Sequence, residues 1–297
     1  MDNTKTNIPV SSGKKLLKDR LERLYRTYDR GFLSTDPLEF VHRYAGPLDR
    51  EIVGLIASSL AYGRVGGIKR SIERVLAVMG ESPSRFTMRF NPKTAGGLFS
   101  GFKHRFNTGA DITCLIYYAR QMIEENGSIG GFFMKGYSPS DGNVKKALEK
   151  FSANALALDS FPVYGGKGLP AAAGVRFFFP TPAGGSACKR LNLYLRWMVR
   201  RDDGLDFGLW VGVAPSMLVI PLDTHIARIS RNIGLSSRKT PDWKMAEEIT
   251  EGLKGLDPKD PVKYDFSLSR LGIMERCPHK VDRVKCEDCL IRRICIL

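Results

Sequence analysis

The sequence predicts an all-α fold. Apolar residues recur at helical spacing along most of the chain, alternating strand patterns are scarce, and no internal repeat is visible. Residues 1–12 read as a disordered lead. From Lys14 to Arg30, Leu17, Leu21, Leu24 and Tyr28 share one helical face. The run Glu51–Tyr62 is apolar and rich in small residues, the pattern of a central helix approached closely by its neighbours. Ile68, Ile72, Val75, Leu76 and Met79 mark an amphipathic helix, and residues 111–125 and 143–158 continue the helical texture. Between Leu158 and Ala187, glycines and prolines break any helix around Phe177-Phe178-Phe179; so long a loop in a compact domain is functional or mobile. Helix resumes over Cys188–Arg201 and Thr224–Ile233, with Gly234 as the C′ residue. Trp243, Ala246, Ile249 and Leu253 form a further face, and Val262–Met274 leads into a cysteine-rich end.

At 297 residues the chain suits one large domain or two lobes sharing a core. Its hydrophobic content of 43% is ordinary, but 46 Lys and Arg against 31 acidic residues leave a net charge of +15. Such an excess draws polyanions, nucleic acid foremost, although a merely soluble basic protein would show it too. The basic residues are spread through the chain, so the positive surface belongs to the fold. No apolar run is long enough to span a bilayer, and the polar N-terminus lacks the apolar core of a secretion signal. The expected setting is therefore cytoplasmic and nucleoid-associated, where thiols stay reduced.

Cys277, Cys286, Cys289 and Cys295 follow the spacing C-x8-C-x2-C-x5-C. Four sulfurs in so short a segment are a ligand set for one inorganic centre. Zinc sites built from four cysteines usually bring two C-x2-C knuckles, and only one is present, whereas an iron–sulfur cluster tolerates uneven spacing. The segment resembles the C-terminal 4Fe–4S loop of the endonuclease III superfamily of DNA glycosylases, with a slightly longer first interval. The resemblance implies a 4Fe–4S cluster, with zinc as the alternative. Cys114 and Cys188 stand alone and suit small buried apolar roles.

The segment Pro221-Leu222-Asp223-Thr224-His225-Ile226-Ala227-Arg228 places an aspartate directly before an amphipathic helix. Asp is a good N-cap, and the helix dipole favours its charge. The segment also resembles the V-D-T-H-V/I-x-R signature of the helix–hairpin–helix glycosylases, matched by Asp223, Thr224, His225 and Arg228, and the resemblance implies that Asp223 is catalytic. Cap and catalyst are compatible roles.

A third segment, Gly185-Ser186-Ala187-Cys188-Lys189-Arg190-Leu191-Asn192, resembles more weakly the end of the hairpin motif G-x-G-x-K-T-A-N. Gly185, Lys189 and Asn192 match, while Ala187 and Arg190 depart from it. The interval from Lys189 to Asp223 is longer than in endonuclease III, a feature shared with archaeal 8-oxoguanine glycosylases. The resemblance implies that Lys189 is the nucleophile of a bifunctional glycosylase; the plainer reading is a phosphate contact at a helix start. As a nucleophile, Lys189 would need its proton removed easily, which desolvation and the neighbouring Arg190 would favour.

Ser58–Arg64 resembles the L-L-S-x-Q-A-T segment of endonuclease III, with Tyr62 at the wedge glutamine. A buried tyrosine with a hydrogen-bonded hydroxyl fits equally. Tyr62, Arg64, Arg190 and Arg228 are the candidate DNA contacts. Phe177–Phe179 and Arg176 suit a latch for the long loop or a stack on a flipped base, and His104 and Arg105 a cleft wall or plain surface.

The resemblance, which extends to a bacterial family of unknown function related to these glycosylases, implies two helical lobes around a DNA-binding cleft. Residues 49–204 would form the central lobe; residues 13–48 with 205–297 would form the iron–sulfur lobe. The expected function is a base-excision DNA glycosylase with abasic-site lyase activity, acting as a monomer on damaged double-stranded DNA with no membrane partner. A non-catalytic iron–sulfur protein that binds bent or damaged DNA is the alternative, and an RNA-directed enzyme a third. Charge alone makes one prediction. Affinity for duplex DNA, followed by anisotropy, should fall steeply with salt as phosphate counterions are released; a salt-independent affinity would speak against nucleic acid.

Overall fold

The computed structural model describes residues 10–201, 203–274 and 277–297. They are mostly helical. In chain order the helices are α1 (Val10–Thr27), α2 (Leu38–Val41), α3 (Pro47–Ser59), α4 (Val65–Met79), α5 (Pro83–Arg89) and α6 (Pro92–Ala95). After a two-stranded hairpin, β1 (Lys103–His104) and β2 (Asn107–Thr108), come α7 (Gly109–Asn126), α8 (Ile129–Met134), α9 (Lys145–Leu156) and α10 (Phe161–Tyr164). The last third holds α11 (Lys189–Val199), α12 (Thr224–Asn232), α13 (Trp243–Lys254), α14 (Asp265–Met274) and α15 (Arg283–Glu287). Among the described residues no helix is long and apolar enough to cross a membrane.

Local signals explain the main boundaries. Helix α7 begins with a capping box, Thr108 with Asp111, and ends at Gly127 in the left-handed region. Asp242 caps α13 by accepting from Met245 N. Gly234, with φ of 74°, follows α12 as the sequence predicts.

Helix α3 is the central element. It is buried along most of its length and packs against α2 and α11. Its Glu51 is buried too, with its carboxylate accepting from Trp210 Nε1 (2.8 Å) and Ile129 N (2.8 Å). Burial pushes this carboxyl above its usual range, and the two donors pull the other way. Glu51 thereby ties the start of α8 and the Trp210 segment to the core. One continuous apolar cluster takes in Leu21, Ile52, Leu115, Trp197, Ile229 and Ile249, so both stretches expected as separate lobes contribute to the same core. Helix α1 packs on α14, where Tyr264 donates to Glu22 (2.6 Å).

The structure corrects five boundaries. Helix begins at Val10, inside the stretch expected as a disordered lead, and the rest of that stretch, residues 1–9, lies outside the described residues. Helix α3 stops at Ser59 rather than reaching Tyr62, because the chain turns at Gly63, whose φ is 101°. Residues 103–108 form a hairpin too short to leave an alternating pattern. Helix α14 begins at Asp265, three residues later than expected. The long loop contains α10 and helical turns at Gly174–Phe178 and Pro182–Gly184.

That loop is latched. Val175, Phe178 and Phe179 are buried, and Arg176 donates to the carbonyls of Pro170 (2.8 Å) and Leu169 (2.7 Å). Tyr164 donates to Asp111 Oδ1 (2.7 Å), and Asn107 Nδ2 donates to Gly174 O (2.9 Å). A Cβ on Gly174 would lie 2.4 Å from Asp111 Oδ2, so only glycine admits this approach. Gly174→Ala should lower stability by about 1–3 kcal/mol in chemical denaturation and expose the loop to protease. Gly142→Ala, at a position with open space around it, should do neither.

Candidate functional site

Two helix starts meet in one pocket. Leu218–Leu222 is a buried extended run that delivers Asp223 to the N-cap of α12, with φ of −117° and ψ of −175°. Asp223 Oδ1 accepts from His225 N and Ile226 N, both at 2.9 Å. Capping occupies that oxygen alone. The other, Oδ2, faces Lys189 Nζ at 3.8 Å. One carboxylate thus closes a helix end and turns its second oxygen toward the Lys189 amine in the pocket.

Lys189 is the first residue of α11. Its position is set from three directions. Cys188 before it has φ of 46°, and Gly185 has φ of 79°. Trp243 N donates to Gly185 O (3.1 Å), anchoring the loop to the start of α13. Lys189 Nζ also donates to Ala61 O (3.2 Å), just beyond α3. The pocket between these elements has a volume of about 620 Å³ and is lined by Tyr62, Gly63 and Arg64 on one side and Asp223–His225 on the other.

Its floor holds charges that no motif announced. Asp265, buried at the start of α14, pairs with Arg196, which also reaches Asp206 (3.3 Å). Burial raises the Asp265 carboxyl to about 6, and the Asp223 carboxylate adds to this, against the pull of Arg196. Arg270 pairs with Asp36 (3.0 Å) beside them.

The other expected contacts are placed differently from one another. Arg64 is exposed at the pocket rim. Arg190 is 7% exposed; it donates to the carbonyls of Ser59 and Phe177, and its guanidinium lies 3.7 Å from the Phe177 ring centre. Burial without a carboxylate partner lowers its pKa to about 10. Arg228 is half-buried and turned toward His225 Nδ1 (3.2 Å) and the Cys277 thiol. Tyr62 is half-buried, its hydroxyl donating toward His104 O (3.0 Å) and Asn107 Oδ1 (2.5 Å). Burial pushes that hydroxyl up to about 12. His104 is buried between Ser71 Oγ (2.8 Å) and Tyr62 O (3.0 Å), and burial lowers its pKa. Arg105 is exposed beside it, with φ of 55°.

All four C-terminal cysteines line a second cavity, of about 450 Å³, together with Tyr28, Leu271 and Ile291. Asp282 caps α15, which carries Cys286, and Ile296 N donates to Asn232 O (2.7 Å). Asn232 Nδ2 lies 3.9 Å from Cys277 Sγ. Burial raises the Cys277 and Cys289 thiols, and the neighbouring cysteines add to it. Among the described residues no three His, Cys, Asp or Glu side chains are gathered into a single-ion site. Cys114 and Cys188 are buried and distant from this set in sequence, as small apolar residues.

Residues 36–274 match the family described as a protein of unknown function (DUF2400), and the chain belongs to it. No curated protein matches the chain significantly.

The double use of Asp223 has a measurable consequence. Asp223→Asn should leave stability nearly unchanged, because Asn caps as well as Asp, whereas Asp223→Ala should cost about 1 kcal/mol in urea unfolding. Equal losses in the two variants would mean that the charge, rather than the cap, holds the helix start.

Proposed function

We propose that this DUF2400 protein is a base-excision DNA glycosylase with an abasic-site lyase step, carrying a 4Fe–4S cluster on Cys277, Cys286, Cys289 and Cys295. The observation that carries the reading is the approach of Lys189 Nζ to Asp223 Oδ2 at 3.8 Å within a 620 Å³ pocket, from residues far apart in sequence. A protein that only bound DNA would not need an amine and a carboxylate converging on one cavity.

The chemistry follows from the two groups. As the bond from C1′ to the base breaks, its electron pair leaves with the base and positive charge grows on the sugar. Asp223 Oδ2 stabilises that charge, because its partner oxygen is already held by two helix N–H groups and the carboxylate cannot swing away. Lys189 Nζ, once deprotonated, forms a bond to C1′; opening of the sugar ring gives an iminium. Loss of a C2′ proton then breaks the bond to the 3′ phosphate, and water releases the lysine.

What supports a cluster is the donor set: four thiols line one cavity whose walls mix apolar residues such as Leu271 and Ile291 with Lys285 and Arg292, although no three of them are gathered into a single-ion site among the described residues. Bound there, a cluster would bridge the chain end to α12 and hold the C-terminal loop, which has little apolar core of its own. The protein's own residues do the excision chemistry. A zinc ion is the alternative occupant. The two-lobed architecture with a DNA-binding cleft belongs to this reading, with the Lys189–Asp223 pocket opening on the cleft and Arg64 at its rim.

Borohydride should covalently trap the wild-type protein on abasic duplex DNA. Lys189→Ala should abolish trapping while binding persists, and Asp223→Asn should lose base excision by orders of magnitude. Full activity in both variants would leave the non-catalytic DNA-binding reading in its place. Anaerobically purified protein should contain about four iron and four sulfide per chain; stoichiometric zinc without iron would overturn the cluster. Burial raises the Asp265 carboxyl to about 6, so the negative charge it adds beside Asp223 should be present above that pH and lost below it. Excision kcat/KM should therefore rise with pH through that value, and Asp265→Asn should flatten this limb.

A further inference from the structure

The hairpin beside the pocket displays an aromatic ring that the excision chemistry leaves unused. Its turn is Arg105-Phe106, between β1 and β2. The base of the hairpin is fixed by the Tyr62 hydroxyl, by His104 and by Asn107, whose side-chain amide reaches Gly174 O. Its tip projects. Phe106 is 55% exposed and stacks on Tyr62, with ring centres 5.4 Å apart at 27°. It meets Phe177, itself 37% exposed, edge-on at 4.4 Å. Arg190 supports Phe177 from within. Three rings thus form one cluster, two of them open to water, and Tyr62 is shared with the pocket wall.

Single exposed hydrophobic residues are common and need no account. Here the two exposed rings touch each other, the hairpin that carries Phe106 is pinned at its base, and Arg105 in the same turn and Arg64, two residues from Tyr62, are exposed. Gly63 lets the two segments approach: a Cβ there would lie 3.3 Å from Arg105 Cδ, and its φ is 101°. Flat apolar rings with cations beside them are complementary to a nucleobase with its phosphates.

We propose that Phe106, backed by Tyr62 and Phe177, is a stacking platform for one unpaired nucleobase at the mouth of the Lys189–Asp223 pocket. The preferred substrates are then nucleic acids with a base already unstacked, such as a bulge or a gap, rather than an intact helix. The inference rests on the nucleic-acid reading above. It also moves the projecting aromatic role from Tyr62, whose hydroxyl is held and whose ring lies beneath, to Phe106.

The test uses the full-length protein and three labelled DNAs of equal length: an intact duplex, the same duplex with a single 2-aminopurine bulge, and an abasic duplex. Wild type should bind the bulged duplex more tightly than the intact one and quench the 2-aminopurine. Phe106→Ala should weaken bulge binding by about tenfold and relieve quenching while intact-duplex affinity stays the same. Phe106→Trp should restore both and Phe106→Leu neither. A Phe106→Ala protein that binds and quenches like wild type, or a leucine variant that matches tryptophan, would overturn the platform. If borohydride trapping on the abasic duplex persists in that case, only the platform fails. If wild type binds none of the DNAs at low salt, the nucleic-acid reading fails and the platform with it.

Discussion

The close approach of α3 and α11 governs the rest of the structure. The helices run antiparallel: Arg190 reaches Ser59 O near the end of α3, and Tyr194 donates to Glu51 O (3.0 Å) near its start. Gly54 makes the approach possible, since a Cβ there would fall 2.8 Å from Met198 Cε and 3.0 Å from the Tyr194 ring. This contact places Lys189 against Ala61 O and so fixes the amine in the pocket. It has a cost. Every residue of α11 after Lys189 is buried, including Arg190 and Arg196, and so is Arg200 at its C-cap. Buried guanidinium groups need partners. Asp206, Asp265, Asp203 and Asp260 supply them for Arg196 and Arg200. The paired charges beneath the pocket are thus tied to the burial of α11, and Asp265 acquires its raised pKa from the same packing.

Helix α12 joins the two candidate centres. Its N-terminal cap is Asp223, and its last residue, Asn232, approaches Cys277 and accepts the chain end through Ile296 N. Arg228, midway, touches both His225 and Cys277. Gly272 lets α14 press against this helix, because a Cβ there would lie 2.7 Å from His225 Cβ. A change in the cysteine loop therefore has a short, packed route to the carboxylate. In the proposed function a cluster held by the four cysteines would bear on the Asp223 cap through this helix.

The sequence made much of this legible, unevenly and for physical reasons. Long amphipathic helices such as α4 and α13 declare themselves by period, and Asp223 and the cysteines by fixed local spacing. Lys189 and Asp223 were both singled out, and the structure brings them together. The hairpin escaped because two-residue strands have no period to detect. Asp265 escaped because nothing local distinguishes it; its position depends on α11. The directions of Arg190 and Arg228 are also tertiary facts, since a basic residue at a helix start reads as a surface contact until its neighbours are known. A faint signal did exist at the hairpin: Arg105-Phe106 sits between His104 and Asn107, with Tyr62 the residue all of them require.

Burying several arginines does not spend the positive charge of the chain. Among the described residues the buried cations are Arg190, Arg196, Arg200 and Arg270, and the buried acids are Asp36, Glu51, Asp111, Asp206 and Asp265. Among the described residues the interior is therefore balanced or slightly acidic, so the basic excess of that part of the chain lies outside it. An excess so distributed acts over the whole surface, whereas the pocket itself is locally mixed, with Lys189 beside two carboxylates. In the proposed function these two scales would divide the work. The surface field would draw the polyanion without regard to sequence, and selection would be left to the groups around the pocket. Arg105 and Cys188 are the non-glycine residues with positive φ among those described, one at the hairpin tip and the other directly before α11. Backbone held in that region costs free energy and persists where surrounding contacts fix it. Here those contacts are the Tyr62–His104 hydrogen bonds beneath Arg105 and the Trp243–Gly185 hydrogen bond just before Cys188.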